Sequence, residues 1–127
     1  MADMRTPLAR VRGLGSAKEG ADHFWRQRLT AVANIPLTLF LVFTVVTLAG
    51  GDHARAVAWL GSPLVALLLM AGVLSAAIHM RLGMQTIIED YVHGEGAKIV
   101  SLMLNTFFSI GVGLACVFAI LKLSFGS

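Results

Sequence analysis

Charge is scarce in this chain of 127 residues: Asp, Glu, Lys and Arg together make up 13%, against 57% hydrophobic residues and a mean hydropathy of +0.79. So few charges cannot cover the surface of a soluble domain, which leaves lipid as the expected solvent. Cysteine occurs once, as Cys116, so no internal disulfide can form and no thiolate cluster is available for an iron–sulfur centre. The chain also lacks a glycine-rich dinucleotide fingerprint, internal repeats and low-complexity segments. The first 28 residues contain no apolar core segment and no small-residue cleavage site, so they are read as part of the mature chain and not as a signal peptide. Asp3, Glu19 and Asp22 argue against an acid-poor organellar transit peptide.

What the chain does have is three apolar blocks, at residues 29–49, 63–88 and 99–121. About 20 apolar residues suffice to cross roughly 30 Å of hydrocarbon as a helix. The blocks are continuously apolar, whereas a membrane barrel strand would alternate and stop after about 10 residues. Short polar connections around 50–62 and 89–98 make neighbouring helices antiparallel. The expected fold is therefore an all-α membrane protein: three transmembrane helices in an up-down-up bundle, preceded by a short amphipathic amino-terminal segment. That segment is "ADHFWRQRL", with Phe24 and Trp25 at headgroup level.

Basic residues set the orientation. Arg5, Arg10, Arg12, Lys18, Arg26 and Arg28 precede the first span and Lys98 follows the second, while only Arg55 and Lys122 lie on the other side. The positive-inside rule places the amino terminus and the 89–98 turn in the cytoplasm. The organisation read from this is a basic cytoplasmic segment at 1–28, an anchor domain at 29–121 and a short periplasmic tail at 122–127. The bacterial inner membrane is expected in preference to the mitochondrial one, and no nucleic-acid partner is expected.

The second span carries a polar stripe. At 100° per residue, Gly72, Ser75, Ala76, Gly83 and Asp90 all fall within about 60° of His79 on the helical wheel. His79 sits about 14 Å from the Ile88 end, near mid-membrane. An ionisable group at that depth is a functional hypothesis by default, and small neighbours leave room for something large and flat. A haem fits, because imidazole is a common axial ligand and a glycine one turn away lets the porphyrin approach the backbone. Two other readings stand beside it: a hydrogen bond from His79 to a neighbouring helix, with the glycines serving close packing, or a proton relay with Asp90. His23, His53 and His93 all lie in polar segments, so a second histidine ligand would have to come from another chain.

Arg81 lies about 200° from His79 and is expected to extend its guanidinium toward the cytoplasmic headgroups. Asp90 and Tyr91, a carboxylate beside a phenol at the membrane boundary, can hold and protonate a quinone carbonyl; an interfacial tyrosine is equally an ordinary aromatic-belt residue. Asn34 and Pro36 are read as kinking or packing the first span, Gly111 and Ala115 as a small pair for close helix contact, and Asn105, Thr106 and Ser109 as candidates for bonds across helices.

The spacing His79, Gly83, Asp90-Tyr91, together with "DYVHG" and the upstream "HFWRQRLTAV", in which Arg28 precedes Thr30-Ala31, resembles the hydrophobic membrane-anchor subunits of succinate dehydrogenase, complex II. The similarity is to the smaller of the two cytochrome b anchor chains, and it spans essentially the whole chain. It implies that His79 ligates the iron of a b-type haem shared with the larger cytochrome b anchor subunit, with Gly83 packing against it. Tyr91 would hydrogen-bond ubiquinone at a site built with the iron–sulfur subunit, Asp90 would organise or protonate that site, and Arg28 would lie near the haem propionates or the quinone pocket. A flavoprotein subunit would complete the enzyme, since this chain is not catalytic alone. Arg81 departs from the family pattern. A small transporter subunit using a His79–Asp90 relay is the alternative, although neither internal repeats nor discontinuous helices favour it.

Overall fold

The computed structural model describes residues 4–15 and 19–126; Asp3, Lys18 and the terminal Ser127 lie outside them. Among the described residues the elements are five helices: α1 (Pro7–Val11), α2 (Glu19–Leu48), α3 (His53–Leu60), α4 (Pro63–Tyr91) and α5 (Glu95–Ser124). Three of them, α2, α4 and α5, are long and apolar enough to cross a membrane. Their chain order gives the up-down-up arrangement expected from the short connections.

Element boundaries differ from the sequence reading in ways that have local causes. The amphipathic lead-in and the first span form one helix, because nothing between Glu19 and Leu48 interrupts the hydrogen-bond ladder decisively, and α2 continues through Pro36. Inside a membrane the groups that a proline frees can be re-satisfied by neighbours. The connection at 50–62 is not a simple turn. Asp52 caps α3 by accepting the Arg55 N–H at 2.9 Å, and Gly50 makes the preceding bend with φ 77°, a conformation that favours glycine. Near the amino terminus, Thr6 caps the one-turn α1 in the same way, with Pro7 at its first position. At the other end α5 runs on to Ser124, so Lys122 belongs to its last turn.

Helix α4 is central. It packs against α2 on one side and α5 on the other, whereas α2 and α5 scarcely meet. Burial is correspondingly slight: Val65, Ala66, Leu82 and Ile88 are the buried apolar residues, all on α4. A row of three helices has two broad faces and no enclosed core, so most of its apolar surface is left for lipid and for other membrane subunits.

Two close contacts hold the row together. Gly113 of α5 is buried, and a Cβ there would stand 3.6 Å from the Cβ of Ala77 on α4. The expected contact pair, Gly111 and Ala115, is instead exposed, because a step of two residues turns the helix face by about 200°. Gly61, which ends α3, is crowded from two sides: a Cβ would fall 2.9 Å from Val57 O of its own helix and 3.3 Å from Leu123 O of α5. Overpacking of this kind costs about 1–3 kcal/mol. Gly61→Ala is accordingly expected to lower the thermal unfolding midpoint of the purified protein; an unchanged midpoint would mean that the α3–α5 junction yields without cost.

Candidate functional site

Helix α4 presents its small-residue stripe to α2. A Cβ on Gly72 would meet Leu37 at 3.7 Å, and one on Gly83 would meet Gln27 Nε2 at 3.5 Å, both ordinary contact distances. Between these two glycines lies His79, half-buried, with its Nδ1 3.1 Å from Thr30 Oγ1 on α2. Ser75, one turn earlier on α4, donates to Thr30 O at 3.3 Å. The hydrogen-bonding and close-packing reading of the stripe is therefore realised, but it occupies only one ring nitrogen. Nε2 of His79 has no partner among the described residues.

Two cavities lie in this same α2–α4 groove, on either side of His79 along the helices. The smaller, about 140 Å³, is lined by Asn34, Leu37, Thr38, Gly72 and Ala76 among others. The larger, about 400 Å³, is lined by His23, Phe24, Gln27, Arg28, Gly83 and Thr86 among others. Buried on the lining of the larger cavity, His23 Nε2 and Gln27 Oε1 make no hydrogen bond. A buried polar atom without a partner is costly, so these two point to an occupant with polar groups of its own. Arg28 lies at the same place with its guanidinium carbon 4.9 Å above the Phe24 ring, which holds the charge at the cavity mouth. Arg26 is instead paired to Asp22 at 2.8 Å on the exposed side of the helix.

Asp90 and Tyr91 stand apart from this groove. They end α4, both are exposed, Tyr91 at 76%, and neither makes a hydrogen bond among the described residues. Glu89 differs, because it accepts from Gln85 at 2.8 Å. Since the start of α2 and the end of α4 line one cavity, Arg28, Asp90 and Tyr91 all occupy the same end of the row. Tyr91 lies twelve residue steps along the helix from His79, about 18 Å along the axis.

Arg81 does not extend toward the headgroups as expected. Its Nε donates to Thr106 Oγ1 on α5 at 3.4 Å, and Asn105 Nδ2 donates to the Arg81 carbonyl at 2.9 Å. The antiparallel packing of α4 and α5 sets these polar residues at one depth, so a partner at its own level replaces water at the surface. Ser109, the third candidate for a cross-helix bond, is buried without one. The sequence reading missed Thr30, His23 and Gln27 as groups of the site. A signal for Thr30 existed in its place one residue after Leu29 in the "RLTA" string, but its partner lies 49 residues away.

Among the described residues no three His, Cys, Asp or Glu side chains gather where they could hold a bare metal ion. What the chain presents is one mid-span imidazole with a free nitrogen, a groove beside it and a polar helix end. Against known proteins, residues 2–120 match the family of succinate dehydrogenase/fumarate reductase transmembrane subunits. The chain is 30% identical over 122 residues to a succinate dehydrogenase hydrophobic membrane anchor subunit of Paracoccus denitrificans, covering 96% of this chain and 94% of that one. A protein of the same description from Rickettsia bellii is 29% identical over 118 residues, covering 93% and 94%. A succinate dehydrogenase membrane anchor subunit of Reclinomonas americana is 33% identical over 98 residues, covering 75% and 82%. No solved structure matches the chain significantly. The chain is a multi-pass membrane protein and belongs to the family of succinate dehydrogenase/fumarate reductase transmembrane subunits, as a hydrophobic membrane anchor.

Proposed function

We propose that this chain anchors a succinate:ubiquinone oxidoreductase in the bacterial inner membrane, supplies His79 as a residue that would hold a b-type haem and contributes to the site where ubiquinone is reduced. The observation that carries the proposal is His79, held at mid-span through Nδ1 with Nε2 unclaimed. The residues fit the group: Gly72, Ala76 and Gly83 leave the helix surface low on either side of the imidazole, and Arg28 and His23 offer N–H donors at one end for the carboxylates of a porphyrin. When bound, the haem supplies a one-electron centre inside the membrane. Because this chain offers one mid-span histidine, a larger cytochrome b anchor subunit is the source of the second ligand.

Quinone chemistry belongs to the helix end. Reduction of ubiquinone to ubiquinol takes two electrons and two protons. The electrons come from succinate by way of the flavoprotein and iron–sulfur subunits. The Tyr91 phenol donates a hydrogen bond to a quinone carbonyl, and the Asp90 carboxylate beside it takes protons from the aqueous side and passes them on. Exposure of both side chains supports a site completed by partner subunits, since a buried head-group pocket needs walls that this chain does not provide. A relay between His79 and Asp90 is less well supported: about 17 Å of helix lies between them, and the His79 ring nitrogen that is engaged faces α2. The basic residues at the start of α2 support a cytoplasmic amino terminus.

A tag on this chain tests the proposal. Mild detergent extraction is expected to bring down a flavoprotein, an iron–sulfur protein and a second hydrophobic chain, with succinate:quinone activity and a reduced b-type absorption band. A preparation with all subunits and no haem band would refute the haem assignment.

A further inference from the structure

We infer that Thr30 is the positioning residue that fixes the tautomer of His79, holding the ring proton on Nδ1 so that Nε2 carries the lone pair. The inference rests on the ligand role proposed above for His79 and deepens it.

Two carbonyl acceptors and one ring nitrogen surround the Thr30 hydroxyl. Arg26 O is 2.8 Å away, Gln27 O 3.2 Å and His79 Nδ1 3.1 Å. A hydroxyl has one proton to give and two lone pairs. A threonine inside a helix commonly gives that proton to the carbonyl one turn back, and here the shortest of the three distances is to that carbonyl. With the proton spent on Arg26 O, the oxygen facing His79 can only accept. The hydrogen between the two side chains must then be the ring's own, on Nδ1. A neutral imidazole protonated at Nδ1 has its lone pair on Nε2, the nitrogen that has no partner among the described residues. The opposite tautomer would place a hydrogen on Nε2 and block it as a ligand.

The arrangement is also fixed in depth. Thr30 receives Ser75 Oγ on its carbonyl at 3.3 Å while its side chain meets His79, so two residues one turn apart on α4 register on a single residue of α2. Helix α2 thus sets both the height of the imidazole and which nitrogen points away. Partners of this kind behind a metal-bound histidine raise its basicity, and their loss typically costs 10- to 100-fold in affinity or activity. A more basic imidazole favours the ferric over the ferrous state, so removing the partner raises the midpoint potential.

The test uses the complete purified complex and reads the haem midpoint potential, haem content per complex and the electron paramagnetic resonance of the ferric haem. Thr30→Val keeps the shape and removes the hydroxyl; Thr30→Ser keeps the hydroxyl. Interhelical hydrogen bonds contribute modestly to membrane-protein stability, so assembly is expected to persist. For Thr30→Val the ferric-to-ferrous preference should fall roughly 3- to 10-fold, an upward shift of about 30–60 mV at 59 mV per tenfold for one electron. Thr30→Ser should stay at the wild-type potential. Where the valine variant does not assemble, Thr30→Ala serves with the same reading. Loss of haem from the valine and alanine variants with retention in the serine variant also supports the inference. An unshifted potential in Thr30→Val or Thr30→Ala overturns it, as does a serine variant that shifts or loses haem like the valine variant. Haem persisting in a His79→Ala complex marks the failure of the ligand reading itself, whereas haem lost there with an unmoved Thr30→Val potential sinks the Thr30 role alone.

Discussion

Replacing His79 by alanine is expected to remove the b-type absorption from the purified complex, leaving less than about one-tenth of the wild-type haem content. Even partners behind a ligand are worth 10- to 100-fold in affinity, and deleting the ligand itself removes more. The other histidines cannot easily substitute. His53 begins α3 at the opposite end of the row, and His93 lies in the connection after α4. His23 is the informative exception, because it lines the larger cavity in the same groove and its Nε2 has no hydrogen bond. If the band survived in His79→Ala and disappeared in His23→Ala, the ligand would have been assigned to the wrong histidine. Oxidation of succinate by a soluble artificial acceptor is expected to persist in His79→Ala, since the substitution lies in the interior of α4, far from any aqueous surface where a peripheral subunit could dock.

Tyr91→Phe is expected to reduce quinone turnover by about 10- to 100-fold while leaving succinate oxidation by the soluble acceptor nearly unchanged. The lower part of the range is the loss of one hydrogen bond to the reacting carbonyl, and the upper part includes loss of proton donation, for which a positioned side chain typically supplies 10²–10⁴-fold. The experiment is clean because of where the residue sits. Tyr91 is 76% exposed and its hydroxyl makes no hydrogen bond among the described residues, so removing the hydroxyl is expected to leave the three-helix row intact. The ratio of the two activities separates the readings: a parallel fall in both would make Tyr91 a residue of assembly, and unchanged quinone turnover would return it to the aromatic belt.

The three spans were legible because hydropathy over 20 residues is a local property, and lipid requires the backbone to satisfy itself within each helix. The stripe of Gly72, Ser75, His79 and Gly83 was legible for the same reason, as angular position follows from 3.6 residues per turn. What faced the stripe was not. A wheel shows that His79 and Gly83 share a side but cannot say that Thr30 and Gln27 lie opposite, because that depends on the relative height of two helices joined through an irregular connection and α3. The same blindness put Gly111 in the place of Gly113 and sent Arg81 to the surface, when α5 supplied Thr106 and Asn105 at its own depth. Boundaries also slipped: composition changes at residue 29, yet the hydrogen-bond ladder of α2 starts at Glu19, since a helix can leave the membrane without ending.

By itself the sequence determined the number of apolar spans and their up-down-up order, the place of His79 within its span and the adjacency of Asp90 and Tyr91 at a helix end, because each follows from residues near one another in the chain. Only the tertiary structure decided that α4 is the middle of a row, that α2 and not α5 covers the imidazole, and that a threonine hydroxyl engages one ring nitrogen and leaves the other unpartnered. The reason is that a hydrogen bond requires two groups within about 3 Å. Residues 30 and 79 reach that separation only after two helices have settled at a common height.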